Sequence, residues 1–362
     1  MRCLVLFTIL TLSHTASAQW TLQDAHTKAS LRGIHSLGNG VAWASGTDGT
    51  VLRTEDGGIV WQLCKVPPGA AKLDFRGVQA FDNNTAIVMS SGKGDLSRLY
   101  KTTDGCQTWK KVFDDPDETG FFDSLRRVTG KQMYLLGDPV NGKFSMFYSQ
   151  DAGSTWFIAD DPGLDAPKDA GAFAASNSAL INVGPFMMFG TGGPRAAVYA
   201  MRPKCDPAKP DACTAAWVAV QTSLAEGKPA AGVFSLAGRF TTSQSGKTSS
   251  IVVAVGGTYD KPDDATGTAA YSRDSGTTWT VAQTPPHGYR SAVVYDSSTA
   301  TWIAVGPNGT GISTDDGRNW RALKPGPNDA PDADKNWNAL SLPFVVGPNG
   351  RIGVLRPSAL KP

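Results

Sequence analysis

The chain has 362 residues, with 34 Lys and Arg against 32 Asp and Glu, for a formal net charge of +2. Near neutrality excludes the broad basic footprint of a nucleic-acid binder. Forty glycines and 23 prolines argue against a helical bundle and for a chain with many turns.

Residues 1–18, MRCLVLFTILTLSHTASA, have a basic start, a short apolar run and a small-x-small end at Ala16 and Ala18. This pattern predicts a secretory signal cut before Gln19, so residues 19–362 form the mature domain, secreted or periplasmic. The run is too short to span a bilayer, and no later segment has 18 consecutive apolar residues. Losing Arg2 takes the formal charge from +2 to +1. Cys64, Cys106, Cys205 and Cys213 remain. An even count in an exported chain favours disulfides: Cys205 with Cys213 around a polar turn, and Cys64 with Cys106. Four free buried thiols are the alternative.

From residue 40 onward the chain reads as short β-rich runs punctuated by D-G turns: GVAWAS (40–45), TVLRT (50–54) and VWQLCKV (60–66), then AIVMSS, LSRLYKT and TWKKVF. This is the pattern of successive hairpins. No stretch holds a helical period. An octamer recurs with it: TEDGGIVW (54–61), TTDGCQTW (102–109), SQDAGSTW (149–156), SRDSGTTW (272–279) and STDDGRNW (313–320). Its conspicuous residues are Asp56 and Trp61, Asp104 and Trp109, Asp151 and Trp156, Asp274 and Trp279, and Asp315 and Trp320. The tryptophans are 48, 47, 123 and 41 residues apart. The long gap predicts a hidden unit ending near Trp217. Periods of this size fit four-stranded propeller blades.

A seventh unit is mostly present at 338–357 but lacks its Trp strand. Trp20 in QWTLQDA predicts that the first mature strand supplies it. The expectation is therefore all-β: a seven-bladed propeller of four-stranded antiparallel blades, closed by the N-terminal strand, with insertions at about 184–217 and 256–274. One octamer per blade keeps the copies apart. Asp and Ser or Thr can tie the turn, Gly supplies its backbone angle, and Trp covers it. A frame role follows, not catalysis; weak calcium binding at Asp315 and Asp316 is the remaining alternative.

The octamer resembles the Asp-box of sialidases, sortilin-type receptors and other propellers. The longer string LRGIHSLGNGVAWASGTDGTVLRTEDGGIVWQ (31–62) is similar to the repeat of the photosystem II assembly and stability factor family and its wider bacterial relatives. The resemblance implies a seven-bladed propeller more strongly than it implies a function.

Candidate site residues are the arginines near the presumed inner-strand starts. Arg32, Arg76, Arg126 and Arg290 precede their tryptophans by 29, 33, 30 and 30 residues, and Arg127 adjoins Arg126. Clustered guanidiniums would give one channel end a positive field. The family resemblance implies an arginine patch contacting a protein partner; the unit starts GAFAAS, GVFSLA and WNALSL carry no arginine. Individually solvated or paired strand-end arginines, or a site for a small anionic ligand, are the alternatives. The preferred function is a monomeric protein-binding scaffold with no catalytic residues, cofactor or metal. A sialidase-like glycoside hydrolase is the alternative, with Asp74, Asp123 and Asp296 as acids and Tyr259, Tyr271 and Tyr289 as tyrosines, or else a non-catalytic glycan-binding module. His26, His35 and His287 have no metal-ligand spacing.

Overall fold

The computed structural model describes residues 19–206, 209–242, 246 and 248–360. The predicted signal at 1–18 lies outside the described residues. Among those described, the regular structure is 28 strands and two single-turn 3₁₀ segments. No helix is long and apolar enough to cross a membrane.

In four of the sheets, strand order follows chain order. Leu31–Gly38, Val41–Gly46, Val51–Thr54 and Gln62–Leu63 form one antiparallel four-stranded sheet. Phe75–Ala80, Ala86–Ser90, Arg98–Thr102 and Lys110–Asp114 form the next. Phe122–Thr129, Gln132–Val140, Lys143–Ser149 and Phe157–Ile158 repeat the meander, as do Ala292–Asp296, Thr301–Gly306, Gly309–Ser313 and Arg321–Leu323. The last sheet takes Ala339–Ser341, Phe344–Val346 and Ile352–Leu355 from the end of the chain and Trp20–Gln23 from its start. Trp20 pairs with Leu355, and Gln23 with Ile352.

The irregular middle of the sequence forms one eight-stranded sheet. Its first four strands are Leu180–Val183, Phe186–Gly193, Ala197–Asp206 and Lys209–Gln221. Its second four are Lys228–Thr242, Thr248–Thr258, Ala269–Ser272 and Thr280–Val281. The strand pairing between the halves is short, Gly192 with Gly232 and Gly193 with Lys228. The extended hairpin of Ala197–Asp206 and Lys209–Gln221 overlaps the stretch 184–217. Trp217 lies on its outer strand and is buried beside Phe189. The stretch at 256–274 includes a loop before Ala269–Ser272.

Burial explains the strand compositions. Second strands such as Ala86–Ser90 and Thr301–Gly306 are buried at every residue, because each sheet is covered on both faces. They therefore read as continuous apolar runs instead of alternating ones. Outermost strands such as Gln62–Leu63 and Phe157–Ile158 are exposed. The first strands of successive sheets run side by side, and Ala339–Ser341 returns to Leu31–Gly38. They surround the channel from which the site is built.

The octamers lie between the third and fourth strands of their sheets. Thr54, Thr102, Ser149, Ser272 and Ser313 each donate a hydroxyl hydrogen bond to the Asp two residues on, at 2.8–2.9 Å. The same hydroxyl accepts the backbone N–H four residues on. The Asp then accepts amides at the next bend. Two consecutive residues in each turn have positive φ, including Gly153, Gly276 and Gly317. Cys106 fills that place in the second copy at φ 63° and is bonded to Cys64. The Cα trace pairs Cys205 with Cys213, but their side chains lie outside the described residues.

Each octamer tryptophan packs against the preceding sheet. Trp61 meets Phe344 edge-on at 5.5 Å, and Trp109 joins the cluster containing Trp43. Trp156 packs with Ile87 and Phe113, Trp279 with the cluster of Ile181 and Val198, and Trp320 with Val253. The motif thus closes a turn and wedges neighbouring sheets together.

Candidate functional site at the channel ends

The bulges that start the inner strands decide which side chains reach the channel mouth. Register shifts fall between Leu31 and Gly33, Phe75 and Gly77, Phe122 and Ser124, and Val233 and Ser235. The extra residues are Arg32, Arg76, Asp123 and Phe234. A bulge adds one residue and re-aims its side chain.

Arg32 and Arg76 line a cavity of about 460 Å³ with Phe173, Phe234, Tyr259, Tyr289, Trp337 and Asn338. Asp74 sits between the two arginines. Arg76 Nε donates to Asp74 Oδ2 at 2.8 Å, and Arg32 Nε lies 3.2 Å from Asp74 Oδ1. The second contact is an ion pair without hydrogen-bond alignment. Burial lowers the Arg32 pKa; Asp74 opposes the shift and Arg76 adds to it. The facing wall is aromatic, with Phe173 stacked on Phe234 at 3.7 Å and Tyr289 edge-on to Phe234 at 4.8 Å. Beside this mouth Asp123 is 1% exposed, with Oδ2 lacking a hydrogen-bond partner. Burial, then repulsion from Asp138, raises its pKa well above the usual carboxylate range, and Arg76 only partly offsets this.

The other predicted arginines do not join Arg32 and Arg76. Arg126 pairs with Tyr134, as His35 pairs with Trp43 and Gln79 with Ile87. It therefore lies three residues beyond the bulge and lines a second cavity, at the other end of the inner strands. Arg127 covers the Phe81 ring at 5.1 Å and donates to the Gly130 carbonyl. Arg290 is 2% exposed and donates to the carbonyls of Gly288 and Tyr289 and to Asn308. Among the five candidate arginines, Arg32 and Arg76 thus form a pair, and Arg126, Arg127 and Arg290 stand in other environments.

Of the glycosidase candidates, Asp296 accepts from Ser298 and Thr299 in its own turn. Tyr259 and Tyr289 reach the mouth, while Tyr271 is covered by Arg273. Asp316 accepts from Nε and Nη2 of Arg239, each at 3.0 Å; Asp315 accepts from Ser313 and Asn319. Sequence reasoning missed Phe173, Phe234 and Trp337 at the mouth and Gln79 at the far end, and named His35 only as a residue without metal-ligand spacing. Their signal was the inner-strand register, not residue type.

Meandering sheets around a channel define a propeller-type fold. Among solved structures, YCF48 bound to D1 peptide is similar over 94% of this chain and 98% of that one, with a TM-score of 0.59 and 16% identity. YCF48 from Cyanidioschyzon merolae is similar over 94% and 100%, with a TM-score of 0.57 and 15% identity. The chain therefore resembles the photosystem II assembly factor in fold. An ancestral GH74 enzyme aligns over 91% of this chain and 41% of its own, with a TM-score of 0.49 and 13% identity. No protein-family model matches the chain, and no curated protein matches it.

Proposed function

We propose that this chain is an exported, seven-bladed propeller that docks an extended protein segment at the Arg32 and Arg76 mouth. The blade count adds the two halves of the eight-stranded sheet to five four-stranded sheets. Pairing of Trp20–Gln23 with Ile352–Leu355 supports closure by the N-terminal strand, which leaves that sheet edge covered. The Cys64–Cys106 bond favours an oxidising compartment.

The observation that carries the function is the mouth itself: two arginines faced by an aromatic wall. That combination suits a segment bearing both carboxylates and apolar side chains. The likeness to a YCF48 bound to D1 peptide supports a protein partner. No catalytic role is assigned. The test is fluorescence anisotropy with labelled D1 peptide and an unrelated acidic peptide, using the wild type, Arg32→Ala/Arg76→Ala and Arg290→Ala. Loss of binding in the double variant supports the reading; wild-type binding by it rejects the mouth as the docking site.

Glycan hydrolysis is the second reading, favoured by one observation: the buried, pKa-raised Asp123 beside the mouth. Turnover of an aryl-glycoside panel that is lost in Asp123→Asn would establish it. Glycan binding without turnover would instead indicate a lectin-like module.

A further inference from the structure

The second channel cavity, of about 320 Å³, combines one arginine with neutral polar groups. Arg126, His35, Gln79, Asn182 and Ser341 line it, and no Asp or Glu does. Arg126 Nε donates to Asn182 Oδ1 at 3.0 Å, and among the described residues Arg126 forms no ion pair. This differs from Arg32, Arg76, Arg239 and Arg351, each of which meets a carboxylate. A half-buried guanidinium without a countercharge carries a desolvation cost that is only partly recovered. His35 supplies no compensation. Burial, then the charges of Arg126 and Arg127, bring its pKa down to about 4, so it is neutral near pH 7. Its Nδ1 also accepts the Ala80 amide, a bond that protonation there would break.

We propose that this cavity binds a small organic carboxylate through Arg126. Asn182 occupies Nε, leaving Nη1 and Nη2 as the edge able to hold two carboxylate oxygens. The single formal charge matches a carboxylate better than a phosphate dianion. The aliphatic side chains of Val78, Ile181, Val293 and Leu340 also line the cavity and give the ligand body an apolar wall. The neutral amides and hydroxyl supply orienting contacts without a competing negative charge.

The test is calorimetric titration of the full mature chain with acetate, succinate, benzoate and glucuronate, in parallel with phosphate and sulfate, at matched ionic strength. The His35 ring is followed by NMR. At least one carboxylate should bind and raise the His35 titration above about 4, because a bound anion favours the imidazolium. Arg126→Gln should weaken binding about 10- to 100-fold, and Arg126→Lys less, as a charged bidentate contact is lost or reduced. Asn182→Asp places an internal carboxylate beside the guanidinium and should also suppress binding; it remains informative if Arg126→Gln does not fold. The proposal is overturned if no carboxylate in the panel binds, if only phosphate or sulfate binds, or if carboxylate binding survives Asn182→Asp or folded Arg126→Gln.

Discussion

Arg32 and Arg76, from neighbouring inner strands, approach opposite oxygens of Asp74. Asp74 neutralises one of the two charges and holds both side chains near the mouth. Asp74→Asn should leave two less restrained cations there. We expect about threefold to tenfold tighter binding of an acidic peptide, with a steeper loss as salt rises. Anisotropy across a salt series measures this. Unchanged or weaker binding would mean that Asp74 positions the arginines more than it screens them.

Cys64 and Cys106 are joined across 42 residues of chain. Cys64→Ser should cost about 2–4 kcal/mol of stability through the lost cross-link. Cys106→Gly loses the same bond but places glycine at φ 63°, where a side chain costs about 1–2 kcal/mol. It should therefore be less destabilising than Cys64→Ser. Denaturant unfolding of both variants, with and without reductant, gives the ranking; reversal would show that the left-handed position carries little strain.

The octamer was legible because its chemistry is local. Serine or threonine, aspartate and the following amides meet within one turn, so eight residues contain the whole arrangement. The arginine site was less legible because it depends on register between strands. Distances back from tryptophan were nearly equal for Arg32, Arg126 and Arg290, yet loop lengths absorb such differences. Arg290 stands one position before Ser291, which lines the mouth cavity, and Arg126 three positions beyond the bulge at Asp123. In a strand a one-residue offset exchanges faces. The hidden unit before Trp217 was found by period, although nothing in its sequence indicated the long paired strands there.

The Thr108 hydroxyl and amide are the leading causes that lower the Asp104 pKa to about 2, despite opposing desolvation. In Asp151, burial pushes the pKa up, but bonds from Thr155, Ser149 and Ser154 outweigh it and bring the value to about 2. These folded-state values lie below the usual carboxylate range. Their stabilising contribution is present above the unfolded pKa near 3.8 and is lost as pH falls through about 2. Stability should decline over that window, less steeply in Asp104→Asn/Asp151→Asn than in wild type. Equal slopes would remove these turns as contributors to acid sensitivity.

Trp20 joins the two chain ends. It is 2% exposed, lies 6.0 Å from the Trp337 ring and donates from Nε1 to Thr310 at 3.1 Å. Trp20→Ala should cost about 3–5 kcal/mol, as expected for emptying a buried aromatic site. Deleting residues 19–23 should go further, exposing Ile352–Leu355 as a free sheet edge prone to association. Light scattering after mild heating separates the two variants; if both stay monodisperse and equally stable, the N-terminal strand does not hold the ring together.

Arg290 and Arg32 occupy similar sequence contexts but should respond in opposite assays. Arg290 is 2% exposed and its guanidinium satisfies Gly288, Tyr289 and Asn308. Desolvation is the main cause that brings its pKa to about 10, and Asp334 opposes the shift. The side chain remains charged at neutral pH and ties the loop before Ala292–Asp296 to Asn308. Arg290→Ala leaves those acceptors without a donor, so about 2–4 kcal/mol of stability should be lost. Binding by the remaining folded fraction should be unchanged. Arg32→Ala should do the reverse, with a small loss of stability and a clear loss of peptide affinity. Measuring both properties for both variants separates a structural arginine from a docking one; a binding defect in folded Arg290→Ala would place Arg290 in the recognition site.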